Sequence, residues 1–243
     1  MTKKVALITG ANKSIGLETA RQLGALGVTI LVGARDEARG TQATETLKDE
    51  GVDAHFVKLD VTDAATHTSA AQYIADTFGR LDILINNAGI LLDAGVPVSV
   101  ASVDNWRTTF ETNVFAVVAL TQTLLPLIKK SDAGRIVNLS SILGSLTLNS
   151  DPNSPLAAGA SFNTAYNASK AALNMFTIHL ANELKNTPIK VNSVHPGWVK
   201  TDMGGASAPM ELVDGAKTSV AMAMLPEDGP TGTYVHLGES LPW

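Results

Sequence analysis

Six short apolar runs punctuate the chain, at residues 5–8, 28–32, 55–59, 83–85, 135–139 and 190–194. Inside them hydrophobicity is close to continuous. A strand with one wet face alternates apolar and polar residues, so a continuous run means that both faces are covered, as in a parallel sheet. Stretches of helical length lie between the runs, at residues 15–26, 36–49, 63–78, 103–129, 164–185 and 209–224. In the first of these, Leu17, Ala20, Leu23 and Leu26 recur at helical spacing. The alternation predicts βαβ units in an α/β fold: a doubly wound parallel sheet of about seven strands with helices on both faces.

No shift in composition marks a linker and no segment repeats, so residues 1–243 read as one domain. At 45% hydrophobic, a chain of this length buries a sizeable core without cross-links. The absence of Cys excludes a disulfide scaffold, thiolate metal sites and cysteine catalysis, and fits a cytoplasmic protein. A net charge of -5 gives no electrostatic footprint for nucleic acid. The longest apolar runs, such as residues 115–120, fall short of the roughly 18 residues that span a bilayer. Residues 5–8, behind Lys3 and Lys4, are too short for a signal-peptide core. Neither a membrane nor a nucleic acid is therefore expected as a partner. Residues 149–163, rich in Pro, Ser, Asn and Gly, read as a loop, and residues 226–230 as a turn.

Residues 9–16, Thr-Gly-Ala-Asn-Lys-Ser-Ile-Gly, join the first run to the first helical stretch. Glycines there let the backbone turn tightly and approach a pyrophosphate. The free N–H groups and positive dipole end of the following helix suit an anion. Gly10, Asn12, Lys13, Ser14, Ile15 and Gly16 are thus the candidate phosphate-binding set of a dinucleotide site. The second run leads to Gly33-Ala34-Arg35-Asp36. An acid at the strand end would take the ribose 2′-hydroxyl of NAD. Ala34 stands there instead, and Arg35 offers a fork suited to phosphate. With Lys13 as a second positive charge, the pattern points to NADP(H); Asp36 lies close enough to keep NAD open.

Tyr166 and Lys170 stand at i and i+4, so a helix puts both on one face. A phenol ionises at about pH 10. An ammonium beside it favours the ionised form and makes the tyrosine a usable acid or base nearer neutral pH. Taken alone, the pair is also a common surface pattern. Ser140 and Ser141 end the fifth run, at a strand C-terminus, where ligands sit in such sheets. A hydroxyl there can meet a substrate oxygen as charge develops on it; a turn or cap serine is equally frequent. Asn113 suits a helix interior poorly. It marks either a local break with a bound water or a solvent-facing position. Asn86-Asn87-Ala88-Gly89 closes the fourth run with small polar residues that let a ligand reach the backbone.

The order and spacing of Thr9-Gly10-x-x-x-Ser14-x-Gly16, Asp60, Asn86-Asn87-Ala88-Gly89, Asn113, Ser141, Tyr166-x-x-x-Lys170 and Pro196-Gly197 resemble the classical short-chain dehydrogenase/reductase (SDR) family over essentially the whole chain. The resemblance implies a Rossmann fold and an NADP(H)-dependent oxidoreductase acting on CH–OH or C=O groups. It makes Tyr166 the general acid that protonates a carbonyl oxygen, and Ser141, rather than Ser140, the hydroxyl that polarises that oxygen. Lys170 would hold the nicotinamide ribose and lower the Tyr166 pKa, and Asn113 would fix a water for proton resupply. Asp60 and Val61 would contact adenine, and Asn87, Ala88 and Gly89 would line the cofactor. Pro196, Gly197, Val199 and Thr201 would secure its carboxamide and phosphate end. The Asn12-Lys13 turn, Arg35 and the ending Gly229-Pro230-Thr231-Gly232 to Leu241-Pro242-Trp243 look most like the carbonyl-reductase branch, a group of NADPH-dependent ketoreductases acting on aldehydes, ketones and quinones. By position, Leu143, Trp198, Met203 and Met210 are candidate walls of the substrate pocket.

Two features depart from the family pattern. Ser14 stands where Gly or Ala is usual. Ser141 and Tyr166 are 25 positions apart, a wider gap than most members have. In the carbonyl-reductase branch an insertion here goes with a monomer, because it obstructs the usual helix–helix interface; monomer and homo-oligomer both stay open. His55, His67, His179 and His236 lack metal-ligand spacing, His195 sits at a strand end with no catalytic role, and Met222 and Met224 read as packing. The leading expectation is a carbonyl reductase acting on a small-molecule carbonyl or alcohol. A 3-oxoacyl thioester reductase, an alcohol dehydrogenase of the same family and a non-catalytic NADP(H)-binding sensor are the alternatives.

Overall fold

The computed structural model describes residues 3–157 and 162–243. Its strands are β1 (Val5–Thr9), β2 (Thr29–Ala34), β3 (Ala54–Lys58), β4 (Ile83–Asn86), β5 (Arg135–Leu139), β6 (Lys190–Val194), β7 (Tyr234–His236) and β8 (Glu239–Ser240). They form one eight-stranded sheet in the order β3-β2-β1-β4-β5-β6-β7-β8. Strands β1 to β7 pair in parallel. The eighth strand exceeds the expected number. β8 turns back antiparallel on β7 through Leu237 and Gly238, both at positive φ. A two-residue strand carries no apolar run, so periodicity had nothing to register.

The helices are α1 (Ser14–Ala25), α2 (Glu37–Asp49), α3 (Ala64–Phe78), α4 (Val103–Phe110), α5 (Ala116–Ile128), α6 (Leu146–Ser150), α7 (Thr164–Glu183) and α8 (Leu212–Ala223). Asp36 and Asp63 cap α2 and α3 by accepting from Arg39 N and Ala65 N. The last helix begins at Leu212, later than the apolar pattern suggests. α6 takes up the start of the segment read as a loop, and residues 158–161 of that segment lie outside the described residues.

Alternate residues of each strand enter different cores, which is why the runs are continuous. Ala6, Ile8, Ile30, Val32 and Ile85 pack with Leu23, Leu47 and Met222 of α1, α2 and α8. Val5, Leu7, Leu31, Leu84 and Ile136 pack with Ile74, Leu124 and Leu180 of α3, α5 and α7. Full burial of one such side chain stabilises by about 1.5–3 kcal/mol. One further difference concerns the helix running from Val103 to Ile128. Counting uninterrupted apolar runs showed nothing of membrane length, yet these 26 residues are one helix whose most apolar stretch has mean hydropathy 1.4. By length and composition it would cross a bilayer; half of that stretch is buried inside the protein.

A buried polar row ties the centre of the sheet to α7. Asn86 Nδ2 donates to Asn138 Oδ1 at 2.8 Å, Asn138 Nδ2 to Thr177 Oγ1 at 2.8 Å, and Ser193 Oγ to Thr177 Oγ1 at 2.8 Å. Such a row is favourable only while every member keeps its partner. Asn138→Ala removes one partner each from the Asn86 amide and the Thr177 hydroxyl and leaves a cavity in the row. It should lower the unfolding free energy by about 3 kcal/mol, read from urea curves. A loss under about 1 kcal/mol would show that the row contributes little beyond ordinary hydrogen bonds.

Candidate active site

β1 is flanked by β2 and β4. The chain thus leaves β1 toward one side of the sheet and later returns on the other. At such a reversal the strand C-termini open a crevice, and here it measures about 860 Å³. Gly10, Asn12, Lys13, Ser14, Ile15 and Gly16 form one wall. Packing leaves no room for a larger residue at Gly16: a Cβ would lie 2.6 Å from Asn87 Nδ2 and from the Gly10 carbonyl oxygen. Asn87 donates to Thr9 O at 2.7 Å, and Thr9 Oγ1 accepts from Asn87 N at 3.0 Å and Ala88 N at 2.9 Å. The end of β4 therefore shapes the glycine turn. Ser14 holds φ +57°, a left-handed conformation that costs an L-residue roughly 1–2 kcal/mol.

Arg35 follows β2 at the far end of the crevice. Asp36 Oδ1 is committed to Arg39 N at 2.9 Å as the cap of α2. Arg39, one helical turn beyond Arg35, adds a guanidinium to the same wall. The spacing of the two arginines was the signal that could have found it. Lys13 instead lies against Asp202, with Nζ and Oδ2 2.5 Å apart on the surface. Asp60 and Val61 also line the crevice. Burial pushes the Asp60 carboxyl up, but the Thr62 N–H and hydroxyl, then Arg35 and His67, hold it below the usual carboxylate range.

Ala88, Gly89, Pro196, Thr201 and Met203 line the crevice as well. Gly197 and Val199 do not. Val199 is packed against Gly215 of α8, and Gly197, at φ +93°, rests on Met210. Trp198 is exposed, with its indole N–H on Gly204 O at 2.7 Å. Leu143, Trp198 and Met210 stand outside the crevice lining. Arg107, Thr108, Glu111 and Thr112 join it from the helix that carries Asn113; their one-turn spacing is legible once Asn113 is placed at the site.

Ser141, Tyr166, Lys170 and Asn113 are all buried. Tyr166 and Lys170 share a face of α7. The ammonium stands 5.5 Å from the ring centroid and donates to Leu139 O at 2.7 Å. The Ser141 hydroxyl, which accepts from Leu143 N at 3.3 Å, also lies near enough to the Tyr166 phenol to draw its proton affinity down. Ser140 also borders the crevice, but its hydroxyl turns to Lys170 O at 3.5 Å. Burial pushes the Tyr166 phenol up to about 12, against the Ser141 hydroxyl, which acts downward. Burial also pulls Lys170 down to about 8. The expected lowering of the phenol by the ammonium is thus corrected: burial raises the phenol instead.

Asn113 marks a local break and faces inward. The helix widens into a π turn over Glu111–Phe115. Asn113 Oδ1 accepts from Ile90 N at 2.9 Å, and Nδ2 donates to Ile90 O at 2.9 Å and Ser169 Oγ at 3.0 Å. His195 accepts from Ile142 N at 3.2 Å, and burial, then His236, lowers its pKa to about 3. It is a neutral acceptor at ordinary pH.

A doubly wound sheet with a crevice at its reversal, a glycine turn on one wall and a buried Ser–Tyr–Lys cluster on the other defines an oxidoreductase of the dinucleotide-dependent type. The chain belongs to the short chain dehydrogenase family, whose model matches residues 4–212. It is 32% identical to (+)-neomenthol dehydrogenase of Capsicum annuum, over 97% of this chain and 96% of that protein. It superposes on salutaridine reductase from Papaver somniferum with TM-score 0.84 and 30% identity, covering 96% of this chain and 99% of that one. Against the NADPH-bound carbonyl reductase from chicken fatty liver the TM-score is 0.86 at 27% identity, over 100% of both chains.

Buried Lys170 has a measurable consequence. Below about pH 8 it is charged in both folded and unfolded chains, and the folded state carries the desolvation cost. Between about pH 8 and 10.5 the folded state binds fewer protons, so the cost fades as pH rises. Lys170→Met should therefore raise stability by roughly 2 kcal/mol at neutral pH, net of the lost bond to Leu139, with the gain gone by about pH 10.5. Urea unfolding at the two pH values checks this; a variant no more stable than the parent at neutral pH refutes it.

Proposed function

We propose that the protein is an NADPH-dependent carbonyl reductase that makes an alcohol from a ketone or aldehyde, with Tyr166 as the proton donor. The observation that carries this reading is the buried Ser141–Tyr166–Lys170 cluster beside a crevice whose far wall bears Arg35 and Arg39. The residues present fit the cofactor. No side chain caps α1, so its first N–H groups are free for a pyrophosphate. Gly10 and Gly16 keep the turn open to it, and the two arginines match a 2′-phosphate. Asp60 and Val61 would hold the adenine, Asn87, Ala88 and Gly89 the middle, and Lys170 the nicotinamide ribose. Pro196, Thr201 and the backbone at Gly197 and Val199 would secure the carboxamide end. When bound, the reduced nicotinamide supplies the hydride.

The protein's own groups manage the oxygen and the proton. Ser141 donates a hydrogen bond to the carbonyl oxygen and favours the charge that develops there. Tyr166, held near pKa 12, is protonated at any working pH and gives its O–H proton to that oxygen. The Lys170 ammonium stabilises the phenolate left behind, and its own pKa of about 8 lets it pass a proton on readily. Relatives named as reductases, one of them in an NADPH-bound form, support the same reading. Residues 1–243 act as one domain in this proposal, in keeping with the single sheet.

Tyr166→Phe should cut turnover by roughly 10² to 10⁴ while NADPH still binds, measured as NADPH oxidation against a panel of ketones, keto esters, quinones and aldehydes. A variant that keeps most of its turnover removes Tyr166 from the chemistry. Arg35→Asp should weaken NADPH binding by about 1.5–3 kcal/mol and NADH binding far less. Equal losses for the two nucleotides would end the 2′-phosphate argument.

A further inference from the structure

The first turn of α7 lacks a cap of its own. Its N-cap residue, Asn163, sits at φ +59° and gives the helix no side-chain bond. Asn163 Oδ1 instead accepts from Gly95 N at 2.9 Å. An uncapped N-terminus leaves backbone N–H groups without partners. The missing acceptor comes from 72 positions away: Asp93 Oδ2 accepts from Ala165 N at 2.7 Å. Asp93 is 0% exposed, and Ala165 immediately precedes Tyr166.

Asp93 lies in the segment leaving β4. The other end of that segment is gripped by Asn113, which bonds both main-chain groups of Ile90. Asn113 also donates to Ser169 Oγ, and Ser169 Oγ donates to the Tyr166 carbonyl at 2.7 Å. Hydrogen bonds thus run in a circuit from Asp93 to the Ala165–Tyr166 backbone, through Ser169 to Asn113, on to Ile90, and along the chain back to Asp93. A bridge between Pro97 and Phe162 fastens the same strap again, just before α7.

Capping alone does not call for this arrangement. A serine or aspartate at position 163, with extended backbone there, would cap the helix locally. Asp93 Oδ1 has no hydrogen-bond partner among the described residues, and a carboxylate buried this deeply is costly to keep. What the distant carboxylate adds is a short, charge-assisted tie between the helix and the β4 wall of the crevice, at the helix end whose dipole favours an anion. We propose that Asp93 is a positioning residue: it fixes the first turn of α7 against that wall, and with it the Tyr166 hydroxyl relative to Ser141. The proposal rests on the reading of Tyr166 as proton donor.

The test uses the full chain, with turnover followed by NADPH oxidation on a ketone the parent accepts and NADPH affinity by its fluorescence. Asp93→Ala should lower kcat roughly ten- to hundredfold while the Kd for NADPH stays within about twofold, because misplacing a reacting group by about 1 Å costs rate rather than cofactor binding. Asp93→Asn keeps an acceptor and loses the charge; its kcat should fall only about two- to fivefold. Parental kcat in either variant, or NADPH affinity falling in step with kcat, overturns the proposal. Should Asp93→Ala not fold, Asp93→Asn decides by the same criteria. Tyr166→Phe, run alongside, separates the two layers. If it turns over like the parent, the proton-donor reading falls and takes this one with it. If it is inactive while Asp93→Ala has parental kcat, only the role of Asp93 falls.

Discussion

The central strands are buried on both faces, and the site follows from that constraint. A sheet covered on two sides needs helical crossovers, and crossovers of consistent hand keep the strands parallel. Parallel strands send all their C-terminal ends to one edge. Where the strand order reverses beside β1, that edge opens into a crevice that no residue had to be specialised to create. The protein's individuality lies in what ends each strand: the glycine turn after β1, Arg35 after β2, Asn87 to Gly89 after β4 and the serine pair after β5.

The proposed chemistry rests on polar groups sunk into an apolar body, and each is held there by a specific partner. Tyr166 has Ser141, Lys170 has the Leu139 carbonyl, Asn113 has Ile90 and Ser169, and Asp93 has the Ala165 amide. Desolvation sets their proton affinities in opposite directions, toward a phenol that keeps its proton and an ammonium that gives its own up more readily. In the proposed function Lys170 would weaken the fold while serving the reaction, the ordinary form of the trade between stability and activity.

Several features were legible because their signals are local. The helical stretches were opened at Asp36 and Asp63, and α2 and α3 begin one residue later, with these two acids as their caps. The odd Asn113 inside a helical stretch pointed to a break or to a solvent-facing position, and the π turn decides for the break. Other features had no local signal. β8 is too short to show a period. Arg39 reads as one more surface charge until α2 is placed beside the crevice. Ser14 was visible as a departure from glycine, but its positive φ emerges only from the packing of Asn87 and Gly16 around the turn. The depth of the Tyr166 and Lys170 pocket was equally hidden, so the sign of the phenol's shift came out opposite to expectation.

Hydrophobic periodicity and residue order by themselves determined the alternating architecture and the family, and proposed the Ser–Tyr–Lys–Asn set. All of these are properties of neighbours along the chain. Tertiary structure alone decided which residues of the 196–203 segment reach the crevice, and that Asp93 caps α7. Burial and hydrogen bonding act between positions brought together by packing, 72 residues apart in the case of Asp93 and Ala165. A linear pattern carries no record of the solvent that such packing removes.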